Sequence, residues 1–131
     1  MDVDHLGIAV KSFAESVPAF EATVGGRASP PEEIQSQKVR VRFLEVGDTH
    51  LEFLEPTDPE SAVGRFIARR GEGLHHIAFH VPSVNAKLRE LESRGLQLID
   101  KEARPGARGR RVGFAHPSAH HGVLVEFVEG P

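Results

Sequence analysis

The amino-acid sequence predicts an α+β fold of two tandem βαβββ modules that together form a curved eight-stranded sheet. Three features carry that expectation. The stretch Asp4-His5-Leu6-Gly7-Ile8-Ala9-Val10 returns as His75-His76-Ile77-Ala78-Phe79-His80-Val81. The stretch Leu51-Glu52-Phe53-Leu54-Glu55 returns as Val125-Glu126-Phe127-Val128-Glu129. Their spacing is nearly kept, with His5 47 residues before Glu52 and His76 50 residues before Glu126. A tandem copy of this kind folds into two like modules related by a pseudo-twofold axis. The expected boundaries are 1–56 for the first module, 57–73 for a linker helix and 74–131 for the second module, all within one domain. A chain of 131 residues is long enough to bury a core without staples.

Val3 to Val10 alternates as a strand does, with His5, Gly7 and Ala9 on one face and Leu6, Ile8 and Val10 on the other. The apolar face should pack beneath a helix, and the small-residue face leaves room for its histidine. His76, Ala78 and His80 repeat that second face, opposite Ile77, Phe79 and Val81. A helix follows each strand. Ser12 with Glu15 three residues later has the pattern of a capping box, and Phe13, Val17 and Phe20 form an apolar stripe. Pro18 opposes that start, because a proline inside a helix costs about 3 kcal/mol; a start near Ser16 places it in the tolerant first turn. The second helix is capped by Ser83, striped by Val84, Leu88 and Leu91, and ended by Gly95.

Val39 to Val46 and Thr49 to Glu55 read as strands joined by a Gly47-Asp48 turn. Asp58-Pro59 reads as a cap with proline in the first helical position, opening a short helix with Val63, Phe66 and Ile67 on one side and Gly71 at its end. In the second module Leu96 to Ile99, Arg111 to Ala115 and Gly122 to Val128 are the remaining strands, and Lys101 to Arg110 is a glycine- and arginine-rich loop.

Composition narrows the chemistry. There is no cysteine, so disulfides and thiolate ligands are excluded and any metal is held by nitrogen and oxygen donors. A net charge of −3 argues against nucleic acid as a partner. No apolar run approaches a membrane span, and Met1-Asp2-Val3-Asp4 lacks a basic, apolar leader, so a cytoplasmic protein is expected.

The chemistry-bearing residues stand at matching points of the repeat. His5, Glu52, His76 and Glu126, all pointing away from the helix-covered faces, make an N₂O₂ donor set with open coordination positions. Such a set suits a divalent ion: Co, Ni, Mn, Fe or Zn. His50 and His80 each lie two residues from a ligand and are expected to line the same face. His75, His116, His120 and His121 are given no ligand role, and Glu55 and Glu129 read as ordinary glutamates of half-exposed strands.

The βαβββ duplication with these His and Glu positions resembles the vicinal oxygen chelate superfamily of glyoxalases, bleomycin resistance proteins and dioxygenases. Within it, the wording is similar to the methylmalonyl-CoA epimerase family. The similar stretches are Asp4-His5 to Val10, Leu51 to Pro56 with Glu60-Ser61, and Gly71-Glu72-Gly73-Leu74-His75-His76-Ile77-Ala78-Phe79. Leu98-Ile99-Asp100, Arg104-Pro105-Gly106-Ala107 with Gly109, Phe114-Ala115-His116-Pro117 and Gly122 to Glu126 complete the set.

The resemblance implies that His5, Glu52, His76 and Glu126 bind one divalent metal, cobalt first, with Ni, Mn, Zn or Fe as alternatives. It implies a homodimer acting on a small acyl-CoA, and a 1,1-proton transfer between (R)- and (S)-methylmalonyl-CoA through a metal-stabilised enolate. Some members carry a glutamate base on the strand before the first Glu-bearing one, where this chain has Val41; Ser118 stands where a lysine often follows the His-Pro pair, and Phe20-Glu21 where an aromatic pair is usual. Glu126, with Glu52, is therefore expected to serve as both ligand and proton carrier. Lys101, Arg104 and Arg108 are the expected cations for CoA phosphates. The alternatives are another enzyme of the superfamily, a glyoxalase-like lyase or isomerase or a dioxygenase, and a metal-free small-molecule binding protein of the same fold.

Overall fold

Alternation at the start of the chain produces strand β1 (Asp2–Ala9), and the Phe13 stripe produces helix α1 (Phe13–Val24). Three strands follow: β2 (Glu32–Ile34), β3 (Val39–Val46) and β4 (Thr49–Pro56). After helix α2 (Ala62–Arg70) the pattern repeats as β5 (Gly73–His80), α3 (Val84–Ser93), β6 (Arg104–Pro105), β7 (Arg111–Ala115) and β8 (Val125–Glu129). The structure, a computed structural model, describes residues 1–131. Both repeats are thus β-α-β-β-β, and the fold is α+β as expected. The strands of the first repeat lie side by side in the order β2-β3-β4-β1, and those of the second in the order β5-β8-β7-β6. Within each repeat the first and last strands run parallel, β1 with β4 and β5 with β8, and the other pairs are antiparallel.

The chain divides into two compact units, residues 5–75 and residues 76–131 with 1–4. In the first, Phe13 and Val17 of α1 bury against Ile8, Val10, Leu44 and Phe53. In the second, Val84, Leu88 and Leu91 of α3 bury against Val81, Ala115, Val125 and Phe127. Each helix therefore covers the face opposite the histidine of its repeat.

Several local expectations are corrected. Helix α1 begins at Phe13 and holds Pro18 in its interior, and the Ser12 side chain makes no capping bond. The start is fixed instead from outside the helix, because the Phe13 N–H donates to Glu55 Oε2 at 2.8 Å. Helix α2 is capped by Ser61, whose hydroxyl accepts from the Gly64 N–H at 3.0 Å, and not by Asp58. Asp58 closes the turn before it by accepting the Glu60 N–H. That bond, with Lys38 as a lesser cause, holds the Asp58 carboxyl below the usual carboxylate range.

Leu96 to Ile99 is no strand. It touches β7 at one bridge, Leu98 with Ala115. The N–H groups of Ile99 and Asp100 then both turn to the Phe114 carbonyl. Asp100 Oδ2 takes the Phe114 N–H at 2.9 Å, so the edge of β7 is occupied by a side chain until β6 resumes the pairing. Strand β8 starts at Val125, because His121 and Gly122 before it have φ of 55° and 101°. Strand β2, for which the sequence suggested no residues, pairs Glu32 with Val41 and Ile34 with Val39.

Two glycines are packing requirements of different severity. A Cβ on Gly64 would lie 2.5 Å from the Pro59 carbonyl oxygen and 2.7 Å from that of Asp58. A Cβ on Gly113 would meet Leu88 Cδ1 and Val84 Cγ1, both at 2.9 Å. Side-chain ends can rotate, whereas carbonyls in a tight turn cannot. Urea denaturation is expected to show Gly64→Ala destabilising the fold by about 1–3 kcal/mol, and by more than Gly113→Ala.

Candidate metal centre

In each repeat the parallel register places a histidine beside a glutamate. Gly7 pairs with Glu52, so His5 lies one pleat earlier on the same side as that carboxylate. His5 Nε2 stands 3.3 Å from Glu52 Oε1. Ala78 likewise pairs with Glu126, and His76 Nε2 stands 2.9 Å from Glu126 Oε1. All four side chains are buried, at 4% exposure for His5, 7% for Glu52, 5% for His76 and 5% for Glu126.

A phenylalanine walls each pair. Phe43 is opposite Glu52 in the β3–β4 ladder, and its ring meets His5 edge to face at 6.3 Å between centroids. Phe114 is opposite Glu126 in the β7–β8 ladder and meets His76 the same way at 6.0 Å. Neither was singled out by the sequence reading; the signal was a phenylalanine in the strand preceding each glutamate strand. His50, directly opposite His5, stacks on it at 5.3 Å and 22° and is itself buried.

The donor chemistry fits a divalent ion. A carboxylate taken out of water costs several kcal/mol unless something compensates it. Neutral imidazole and ionised carboxylate are the protonation states that metal ligation selects. A divalent cation matches two carboxylate charges, and two imidazoles with two carboxylates suit borderline ions without thiolate help.

The other singled-out residues fall away from this role. His80 Nε2 binds the Gly130 carbonyl at 3.0 Å, and the His75 ring packs edge-on to Phe66. His116 Nδ1 accepts the Ser118 N–H at 3.0 Å, capping a short 3-10 turn, and His120 and His121 lie at the end of that turn. Val41 is buried at 2% exposure and pairs with Leu54, so an apolar side chain fills that position. Glu55 and Glu129 are not merely half-exposed strand glutamates, since each accepts the first N–H of a helix.

Of the expected phosphate cations, Arg104 lies 5.1 Å over the Phe114 ring with its Nε 3.3 Å from Asp100. Lys101 is exposed and 3.8 Å from Glu92, and Arg108 stands in left-handed backbone at φ 60°. The strongest cation contact was not foreseen: Arg110 grips Asp4 through two bonds of 2.6 and 3.1 Å, with both side chains largely buried.

Residues 4–114 match the profile of the Glyoxalase/Bleomycin resistance protein/Dioxygenase superfamily. The uncharacterised Bacillus subtilis protein YqjC is 39% identical over 97% of this chain and 91% of its own length. Human mitochondrial methylmalonyl-CoA epimerase is 30% identical over 97% of this chain and 73% of its own. A variant of Streptomyces coelicolor methylmalonyl-CoA epimerase, solved in complex with 2-nitronate-propionyl-CoA, is 37% identical with a TM-score of 0.93, covering 99% of this chain and 94% of its own.

The Asp4–Arg110 pair gives a direct stability test. Asp4→Ala leaves a buried guanidinium without its carboxylate and is expected to cost about 3 kcal/mol in chemical denaturation. An Asp4→Leu, Arg110→Met double variant should recover most of that loss.

Proposed function

Since the chain belongs to the methylmalonyl-CoA epimerase family of the glyoxalase/bleomycin resistance protein/dioxygenase superfamily, we propose that it interconverts (R)- and (S)-methylmalonyl-CoA. In this reading His5, Glu52, His76 and Glu126 hold one divalent ion, cobalt being the first to test. The observation that carries it is made once in each repeat, a buried imidazole set against a buried carboxylate, His5 Nε2 3.3 Å from Glu52 Oε1 and His76 Nε2 2.9 Å from Glu126 Oε1. The CoA ester bound to the Streptomyces coelicolor relative supports an acyl-CoA as the substrate class.

The hydrogen to be moved sits on a carbon between a thioester and a carboxylate, and its removal places negative charge on oxygen. When bound, the ion supplies fixed positive charge beside the substrate oxygens where that charge develops. Each pKa unit by which the C–H is acidified is worth about 1.4 kcal/mol, so several kcal/mol are required. Inversion needs one group to remove the proton from one face and another to return a proton to the opposite face. With valine at position 41, Glu126 and Glu52 are the carboxylates assigned to those transfers. Phe43 and Phe114 keep water from the pairs, which strengthens every charge interaction there. Lys101, Arg104 and Arg108 are assigned to the CoA phosphates, Arg104 as the cation stacked on Phe114.

A second reading, a glyoxalase-like isomerase in which a ligand glutamate is the only base, is favoured by Val41. Turnover of a hemithioacetal substrate separates the two.

Metal-reconstituted protein incubated with (R)-methylmalonyl-CoA in D₂O is expected to show α-deuteration and inversion by NMR. Glu126→Gln should weaken metal binding and slow exchange by about 10²–10⁴-fold, the usual worth of a positioned proton carrier. Absence of exchange with cobalt, nickel, manganese and zinc alike would overturn the epimerase reading.

A further inference from the structure

We infer that Glu55 and Glu129 are positioning residues for the metal centre, each locking the strand that bears a ligand carboxylate to the turn leaving the strand that bears a ligand imidazole. The inference rests on the metal reading above and adds a role for two side chains outside the ligand set.

The observation is a hydrogen-bond pattern made twice. The Val10 N–H donates to the Leu54 carbonyl at 2.9 Å, and three residues later the Phe13 N–H donates to Glu55 Oε2 at 2.8 Å. In the other unit the Val81 N–H donates to the Val128 carbonyl at 2.9 Å, and the Val84 N–H donates to Glu129 Oε1 at 2.8 Å. The offsets are identical. Glu55 and Glu129 each follow the ligand glutamate by three residues, and Phe13 and Val84 each follow the ligand histidine by eight. An N-cap side chain ordinarily serves its own helix at the second or third N–H. Here the first helical N–H is taken by a carboxylate 42 or 45 residues away in sequence.

Parallel pairs need such a lock more than hairpins do. The β3–β4 register is set by its two-residue turn, whereas β1 with β4 and β5 with β8 are joined only through long connections. Their ladders are short, and the His–Glu contact is diagonal, one pleat from the paired residue. A small slide of one strand along the other lengthens that contact directly. A carboxylate on the last residues of the glutamate strand, fixed to the helix start beyond the histidine strand, opposes that slide. Glu55 is itself held by Arg40 Nη2 at 2.6 Å, which fixes the lock in the first repeat.

The test uses the full-length chain and cobalt(II) chloride, with calorimetric affinity, the visible absorption of bound cobalt and thermal midpoints as readouts. Glu129→Ala and Glu55→Ala are expected to weaken cobalt binding by about 10–100-fold, as loss of a group supporting a ligand does, and to shift the absorption bands. Glu129→Gln keeps an oxygen acceptor and should bind like wild type. Glu129→Asp keeps the charge but is one methylene short, so it should weaken binding even where the alanine variant does not fold. Ser83→Ala removes the cap that accepts the Ala86 N–H of the same helix with no link to β8, and should lower the thermal midpoint while leaving affinity and spectrum unchanged. Wild-type affinity and spectrum in Glu129→Asp and Glu129→Ala, or an equal loss in Ser83→Ala, would overturn the inference alone. A wild-type chain that takes up no divalent ion removes the metal reading and this inference with it.

Discussion

The register of two parallel strand pairs decides where every functional donor points. His5 reaches Glu52 because Gly7 stands opposite that glutamate, and His76 reaches Glu126 because Ala78 does. The side-chain period of a strand is two, so a slip of one residue would turn each carboxylate into the face covered by a helix. That face is filled by Phe53 in one unit and Phe127 in the other, and both rings are almost wholly buried. The same alternation that sends Phe53 and Phe127 into the core sends Glu52 and Glu126 to the opposite side. Hydrophobic packing and donor placement are one constraint, met twice.

What lies on the donor side is unusual for its polarity. In the unit of residues 76–131, Ala78, Val112, Phe114 and Val128 form an apolar cluster on the face that carries His76 and Glu126. Ionisable groups in such surroundings are costly unless paired, and each imidazole–carboxylate contact limits the cost in its own repeat. Arg104 lies 5.1 Å over the ring of the same phenylalanine that meets His76, so a positive charge stands beside that ring. The donor side is therefore an apolar wall broken by one imidazole–carboxylate pair, with a cation beside the ring that lines it.

The repeat made most of this readable without coordinates. Matching His and Glu positions, the helix-facing alternation of Ile8 and Val10, and α3 with its Ser83 cap and the Gly95 that follows it come from local pattern, and the structure has them. What escaped depends on partners far away in sequence. Helix α1 begins ahead of Pro18 because Glu55, on another strand, receives its first N–H. Leu96 to Ile99 alternates because Leu96 and Leu98 pack against the α3 cluster, yet Asp100 occupies the pairing edge it needed. Strand β2 has two glutamates and one isoleucine, too little alternation to mark it. Phe43 and Phe114 become recognisable as walls only once the hairpin registers place each opposite a ligand glutamate.

Whether the two His–Glu pairs act together is decided by counting ions. Cobalt titrated calorimetrically into the metal-free chain, with X-ray absorption on the loaded protein, measures stoichiometry and ligand identity at once. A centre shared by His5, Glu52, His76 and Glu126 takes up one cobalt per chain and shows two imidazoles on it, and His5→Ala and His76→Ala each remove that one site. Two cobalt ions per chain with one imidazole each, or no saturable uptake at all, would contradict it.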